Sequence, residues 1–405
     1  MPGPLSGIRV VDLTGVVSGP LATAFLADQG ADVIKIEPPG GDITRRSRQS
    51  VSSTGEFSAL FISTNRGKRS LALDIKKPGA TAILHKLIAR ADVLVQNFRP
   101  GTMERLGLGE AELRAANPAL IYVSISGVGD RGPYVKKRVY DPIIQALSGF
   151  ADIQSEPLSQ RPQMIRTIVA DKTTAIFTAQ AICAALFARE RTRQGQHIRI
   201  SMLDTMVAYL WPEGMMQYTV VAEEASAPSP TARPDLIFQT QDGYITCGTI
   251  SDSEWNGFCK AVEMPELAAD TRFNSPGGRA ANATERIMLM ADILKQRTSA
   301  AWLERLDAAD VPCAPVLRRG DIVDNEQVVA SKLIEVFDQP TVGDVRQPRP
   351  AAQFDRTPAG IQGPAPRIGE HTAAILAELG YDRAAVEALA QEQVIRTATA
   401  ERAAS

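Results

Sequence analysis

The feature that most constrains this chain is the order in which apolar runs alternate with helical patterns through its first half. Ile8–Leu13, Asp32–Glu37, Ser70–Ile75, Asp92–Phe98 and Leu120–Ser126 are short and apolar almost throughout. Stretches of helical spacing stand between them, such as Leu21–Gln29 and Ala80–Ala91. A strand without a polar face must be covered on both sides. Strand, helix, strand in this rhythm predicts parallel strands joined by right-handed crossovers. The fold class expected is therefore α/β, with helices on both faces of a parallel sheet.

Further along, Ile176, Ala179, Ile182, Cys183 and Leu186 recur at helical spacing, so one long helix is predicted after Asp171. His197–Ser201 reads as a strand and Leu203–Leu210 as a helix. Ala, Ser, Pro and Thr then crowd residues 222–233, which reads as a linker. Leu236–Thr240 and Tyr244–Ile250 flank Gln241-Asp242-Gly243, a hairpin signal. Helical patterns follow at Ser253–Val262, Glu285–Gln296 and Ala300–Ala308, giving a smaller α+β domain over 234–325. The return segment begins at 326; its Pro- and Gly-rich stretch Thr341–Pro364 is expected to cross the surface. Thr372–Leu379 and Arg383–Gln391 read as helices, and the chain after Ile395 as a frayed end.

Length and charge narrow the function. A chain of 405 residues exceeds what one core usually serves, so two domains are expected. Lys plus Arg is 44 against 46 Asp plus Glu, a balance that argues against a general nucleic-acid or membrane-surface binder. The first residues carry no basic segment followed by a long apolar one, so no signal peptide is read. No apolar run approaches a membrane span. Cys183, Cys247, Cys259 and Cys313 are far apart, which points to reduced thiols in a cytoplasmic protein, with no zinc site.

Several familiar sites can be struck out. Gly15-Val16-Val17-Ser18-Gly19-Pro20 lacks the glycine spacing of a dinucleotide loop, although Glu37 ends the second strand where a ribose ligand would stand. Gly67-Lys68-Arg69-Ser70 is not a phosphate-binding P-loop, and no G-x-S-x-G elbow occurs. His85, His197 and His371 are widely spaced, leaving little material for a histidine triad or metal site. Carboxylates, loop amides and scattered arginines remain. The amides of Gly15–Pro20, just before a helix, can meet an anion, or the segment can be simply a tight turn. Asp171, at the start of a helical pattern, can be an N-cap.

The chain resembles the class III CoA-transferases, the CaiB/BaiF family. The resemblance is carried by Gly7–Leu13, Ser18-Gly19-Pro20, Gly30–Pro38, Gly41-Asp42 and Asn65–Ser70. It continues through Asn97–Gly101, Arg105-Leu106-Gly107, Tyr140-Asp141, Gln145-Ala146, Ser148-Gly149 and Asp171. Gly195-Gln196, Met202-Leu203-Asp204, Val311–Val316 and Gly369–Thr372 complete a collinear set. The resemblance implies a large Rossmann-like domain built from both chain ends, 1–221 and 326–405, and an interlocked homodimer. It implies that Asp171 is a nucleophile that attacks an acyl-CoA and then carries CoA as a thioester, with CoA as substrate and neither metal nor ATP. It maps the CoA cleft to Val16, Val17, Ser18, Leu73, Asn97, Phe98, Arg105 and Arg138.

Formyl-CoA:oxalate members carry glutamine at the position of Val17 and a glycine-rich loop in the small domain. Here the small domain reads Cys247–Asp252, so the resemblance does not extend to oxalate chemistry. The α-methylacyl-CoA racemases share the fold but carry histidine before the aspartate, where this chain has Tyr140. Racemisation needs an acid and a base about the α-carbon, and a tyrosine titrating near pH ~10 substitutes poorly. A non-catalytic acyl-CoA-binding relative is the remaining alternative. Arg272 and Arg279 are the small-domain cations available for a second carboxylate.

Overall fold

Six strands lie parallel in the main sheet: β1 (Arg9–Asp12), β2 (Asp32–Glu37), β3 (Arg69–Leu73), β4 (Val93–Gln96), β5 (Ile121–Ser126) and β6 (His197–Ser201). The computed structural model that contains them describes residues 2–47, 51–52, 55–156, 159–221 and 234–398. The expected linker, 222–233, lies outside the described residues. Across the sheet the strands run β3-β2-β1-β4-β5-β6. The direction of chain progress reverses between β1 and β4, and the loops leaving their carboxyl ends diverge there. This is the α/β class expected from the apolar runs.

Side chains alternate between the two faces of this sheet, and both faces are covered. Val10, Val33, Val93 and Val95 pack on one side with Ile182 and Leu186 of the long helix. Val11, Ile34 and Leu94 pack on the other with Ile83, Leu84 and Leu87. Burial on both faces is why the strands show no polar alternation.

The chain divides into two compact units, one of residues 1–151, 164–216 and 332–405, the other of 152–163 and 217–331. In the second unit β7 (Phe238–Gln239) and β8 (Tyr244–Cys247) form the expected hairpin. A third strand, β9 (Cys313–Pro315), joins β8 antiparallel. Its three residues are too few to show a period in the sequence. Trp255, Phe258, Phe273 and Trp302 fill this unit's core.

Two expectations for the return segment need correction. β10 (Ile334–Gln339) and β11 (Gly343–Pro348) form an antiparallel hairpin, so part of the stretch expected to cross the surface is a strand. Most of β11 is solvent-facing, which removes the apolar signal. Arg396 is paired rather than frayed: β12 (Ile395–Arg396) lies antiparallel on β3, with Ile395 opposite Leu73. Among the described residues, no helix is long and apolar enough to cross a membrane.

Candidate active site

The loop between β1 and helix α1 (Ser18–Asp28) rests on buried charge. Asp12, at the end of β1, is fully buried and accepts from the Thr14 amide (2.9 Å), the Thr23 hydroxyl (2.7 Å) and Lys68 Nζ (2.9 Å). Lys68 donates also to the carbonyl of Pro20 and to Asn65 Oδ1. Lys35 Nζ bridges the Thr14 carbonyl and Asp42, each at 3.0 Å. Burial opposes the ionisation of Asp12, but Lys68, Lys35 and the Thr14 hydroxyl overcome it and hold the carboxyl well below the usual range. Paired charges are what make such burial tolerable.

That foundation fixes an uncommon backbone. Val16 has φ 70°, a left-handed conformation that costs a β-branched residue about 1–3 kcal/mol. Gly19, one residue into α1, approaches Thr14 so closely that an added Cβ would lie 2.3 Å from its side chain. From across the switch point, Asn97 clasps the same loop. Its Oδ1 accepts the Gly15 amide (3.0 Å) and its Nδ2 donates to the Gly15 carbonyl (2.9 Å).

Asp171 is the third residue of the long helix α3 (Val169–Thr192) and does not cap it. The capping acceptor comes instead from Asp141, the first residue of helix α2 (Asp141–Leu147). Asp141 Oδ2 accepts the amides of Ala170 (2.7 Å) and Asp171 (3.2 Å), and its Oδ1 accepts from Gln145 (2.6 Å). The Asp171 side chain is thereby free for other work. It faces Ser18 at the amino end of α1, whose hydroxyl and amide favour its ionised form. Burial, then the negative charge of Asp141, push its carboxyl up to about 6, against the pull of Ser18. At neutral pH it is mostly ionised yet poorly solvated, the condition that makes a carboxylate reactive.

Beside this loop opens a cavity of about 850 Å³. Of the residues mapped to the CoA cleft, Val16, Leu73, Asn97 and Phe98 line it. Val17 and Ser18 are buried behind the lining, in the first turn of α1 and its approach. Arg105 and Arg138 are exposed and stand outside the cavity wall, and Arg105 bonds Thr102 Oγ1 at 3.0 Å. The cations in the wall are Arg46 and Lys76, which sequence reasoning passed over. Glu37 also lines it, but Arg45, Ser70 and the Asp42 amide occupy its oxygens, so no ribose ligand is available there. In the second unit, Arg279 is buried against the carbonyls of Phe273 and Ile250 and against Asp252. Arg272 pairs with Asp270 and Glu285. Neither guanidinium is waiting for a ligand.

Asp141 and the Asp12–Lys68 pair are the contributors that sequence reasoning did not assign. Their signal was present: Asp12 and Lys35 interrupt runs of Val, Ile and Leu, and a charge in a buried strand requires a buried partner.

The family model described as CoA-transferase family III matches residues 5–372. The chain belongs to that family. Succinyl-CoA:glutarate CoA-transferase of Mus musculus is 34% identical over 97% of this chain and 90% of its own length. Acetyl-CoA:oxalate CoA-transferase of Acetobacter aceti is 37% identical over 82% of this chain and 85% of its own. The crystal structure of a CaiB/BaiF family protein from Brucella suis superposes with a TM-score of 0.80 at 33% identity, covering 94% of this chain and all of that one. This family III CoA-transferase is thus an enzyme that moves CoA from a thioester to an acid.

Proposed function

We propose that Asp171 is the nucleophile of the transfer. Its ionised oxygen attacks the carbonyl of the donor acyl-CoA; the carbon–sulfur bond breaks and CoA leaves as the thiolate. The mixed anhydride so formed is attacked by the thiolate at the aspartyl carbonyl. The donor acid departs as a carboxylate, and Asp171 carries CoA as a thioester. An acceptor carboxylate then repeats the steps in reverse and restores the free carboxylate. One bond forms for each that breaks, so thioester energy is conserved and no external activation is needed.

The observation that carries this reading is the Asp171 carboxyl, raised to about 6 and held against Ser18 at the amino end of α1. That helix end offers amides and a favourable dipole to the oxyanion of each tetrahedral intermediate. Val16, Val17, Ser18, Leu73, Asn97 and Phe98 are the proposed cradle of the cofactor, with Arg105 and Arg138 on its approach for the diphosphate. The acceptors proposed are short dicarboxylic acids, in line with the glutarate named for the Mus musculus relative. A homodimer is proposed as well, supported by exposed Ile176, Phe177 and Phe187 on α3. Four free thiols suit the cytoplasm.

The test is to mix enzyme with donor acyl-CoA alone and weigh the intact protein. A CoA adduct on a peptide containing Asp171, discharged by added acid, is the expected result. No adduct under turnover conditions would refute the mechanism. Free acids screened against succinyl-CoA and acetyl-CoA, with new thioesters read by mass, identify the acceptor. Exchange of the α-hydrogen in deuterated water without any acceptor would favour a racemase; none is expected with Tyr140 in the histidine's place.

A further inference from the structure

Phe98 is shared by two cavities. It lines the large one described above and a smaller one of about 300 Å³. Gln96 of β4, Ser124 of β5 and His197 of β6 line the smaller cavity. Their side chains form a continuous run of hydrogen bonds that ends at Phe98. The Phe98 amide donates to Gln96 Oε1 (2.8 Å), and Gln96 Nε2 donates to Ser124 Oγ (2.9 Å). Ser124 Oγ in turn lies 2.9 Å from His197 Nε2.

The directions of these bonds follow from the groups themselves. A backbone N–H can only donate, so Gln96 meets Phe98 with its oxygen and must meet Ser124 with its nitrogen. Ser124 accepts there and has one hydrogen to give, to His197 Nε2. That bond needs a neutral imidazole with its proton on Nδ1. Nδ1 is buried without a hydrogen-bond partner, and Glu110 Oε2 stands 3.8 Å from it. A proton at Nδ1 meets a negative charge favourably, whereas a lone pair would oppose it. Burial and the cations Arg199 and Arg114, opposed by Glu110 and Asp130, hold the imidazole below its ordinary value, so it is neutral at neutral pH. Tyr122 lies edge-on to the ring, with centres 5.1 Å apart, and fixes its plane.

Gln96 is the last residue of β4, and the next residue is Asn97, the clasp on Gly15. Consecutive side chains therefore anchor this turn on both sides, Asn97 to the loop after β1 and Gln96 to β5 and β6. We propose that His197, acting through Ser124 and Gln96, is a positioning residue that sets where Phe98 stands in the wall of the large cavity. The proposal rests on the reading of that cavity as the acyl-CoA site. None of the three lines the large cavity, so none is given a chemical step. The run governs the grip on the ligand and leaves bond-making at Asp171 alone.

The experiment follows CoA-adduct formation on Asp171 in the full-length enzyme against succinyl-CoA concentration, by intact mass. In Ser124→Ala and in His197→Phe the half-saturating concentration should rise about tenfold, while the limiting rate changes less than about twofold. Ser124→Thr keeps the hydroxyl and should restore most of the grip. On a Phe98→Ala background, Ser124→Ala should add nothing, since the two act as one unit. An unchanged half-saturation, or an equal loss on the Phe98→Ala background, overturns the proposal and leaves the transferase reading standing. A limiting rate that falls in step with a lowered unfolding midpoint, or variants that do not fold, marks the three residues as structural and overturns it too. If wild type forms no adduct, the transferase mechanism falls by itself. The same tenfold loss is then sought in the dissociation constant for CoA, by titration calorimetry, and its absence overturns the positioning role.

Discussion

Asp12 and Asp171 are the same residue in two neighbouring parts of one site, and their surroundings give them opposite characters. Asp12 is enclosed by two lysines and by hydroxyl and amide donors, and it stays ionised far into acid. Asp171 has Ser18 on one side, another carboxylate on the other, and partial burial; it titrates near 6. Compensation of charge, rather than residue type or depth, separates a structural anion from a reactive one.

The comparison can be broken in four places. The largest effect is expected from Asp171→Ala: transfer and the CoA adduct are both lost, while thermal unfolding stays cooperative. Next comes Lys68→Met, which strands Asp12 without its closest cation. Breaking a buried pair from one side costs about 3–5 kcal/mol, read by urea denaturation, with activity falling as the Thr14–Val17 loop loosens.

A milder result is expected from Asp171→Asn. A carboxyl raised to about 6 takes up a proton more readily in the folded enzyme than in the unfolded chain, whose value is near 3.8. Its ionised form therefore burdens folding above pH 6, and the burden disappears as pH falls through that window. The variant should be more stable than wild type at pH 8, by at most about 2 kcal/mol after solvent screening, and equal to it at pH 3.5. The smallest effects are shifts of the acid limb of kcat/KM, expected near pH 6 in wild type. Asp141→Asn removes the like charge and keeps an acceptor for Ala170, so the limb moves toward lower pH. Ser18→Ala removes a donor and moves it higher.

Much of this architecture was legible before any coordinates. β2 has the bounds that its run predicts, because it is buried on both faces; β6, at the sheet edge, has its predicted bounds through the alternation of Ile198 and Ile200 with polar residues. β9 and β12 were illegible for the opposite reason: three and two residues carry no period, and both depend on neighbours distant in the chain. At the site, Asp171 was legible through its family resemblance, but its freedom from capping was not. That freedom comes from Asp141, which folding brings up from another helix. Arg45 and Arg46 make the point most sharply, since nothing in a run of two arginines says which will be buried.

The edge strand β12 has a consequence in time. Leu73 lines the cavity proposed for the cofactor, and among the described residues the strand that carries it gains its outer neighbour from Ile395 and Arg396. The Ala72 amide beside it waits for the Thr372 hydroxyl. Translation runs from the amino end, so the Thr14–Val17 loop is made long before Ile395 and Arg396, which support the strand of Leu73. On the reading that this cavity holds the cofactor, its wall at Leu73 is completed only when Ile395 and Arg396 dock on β3.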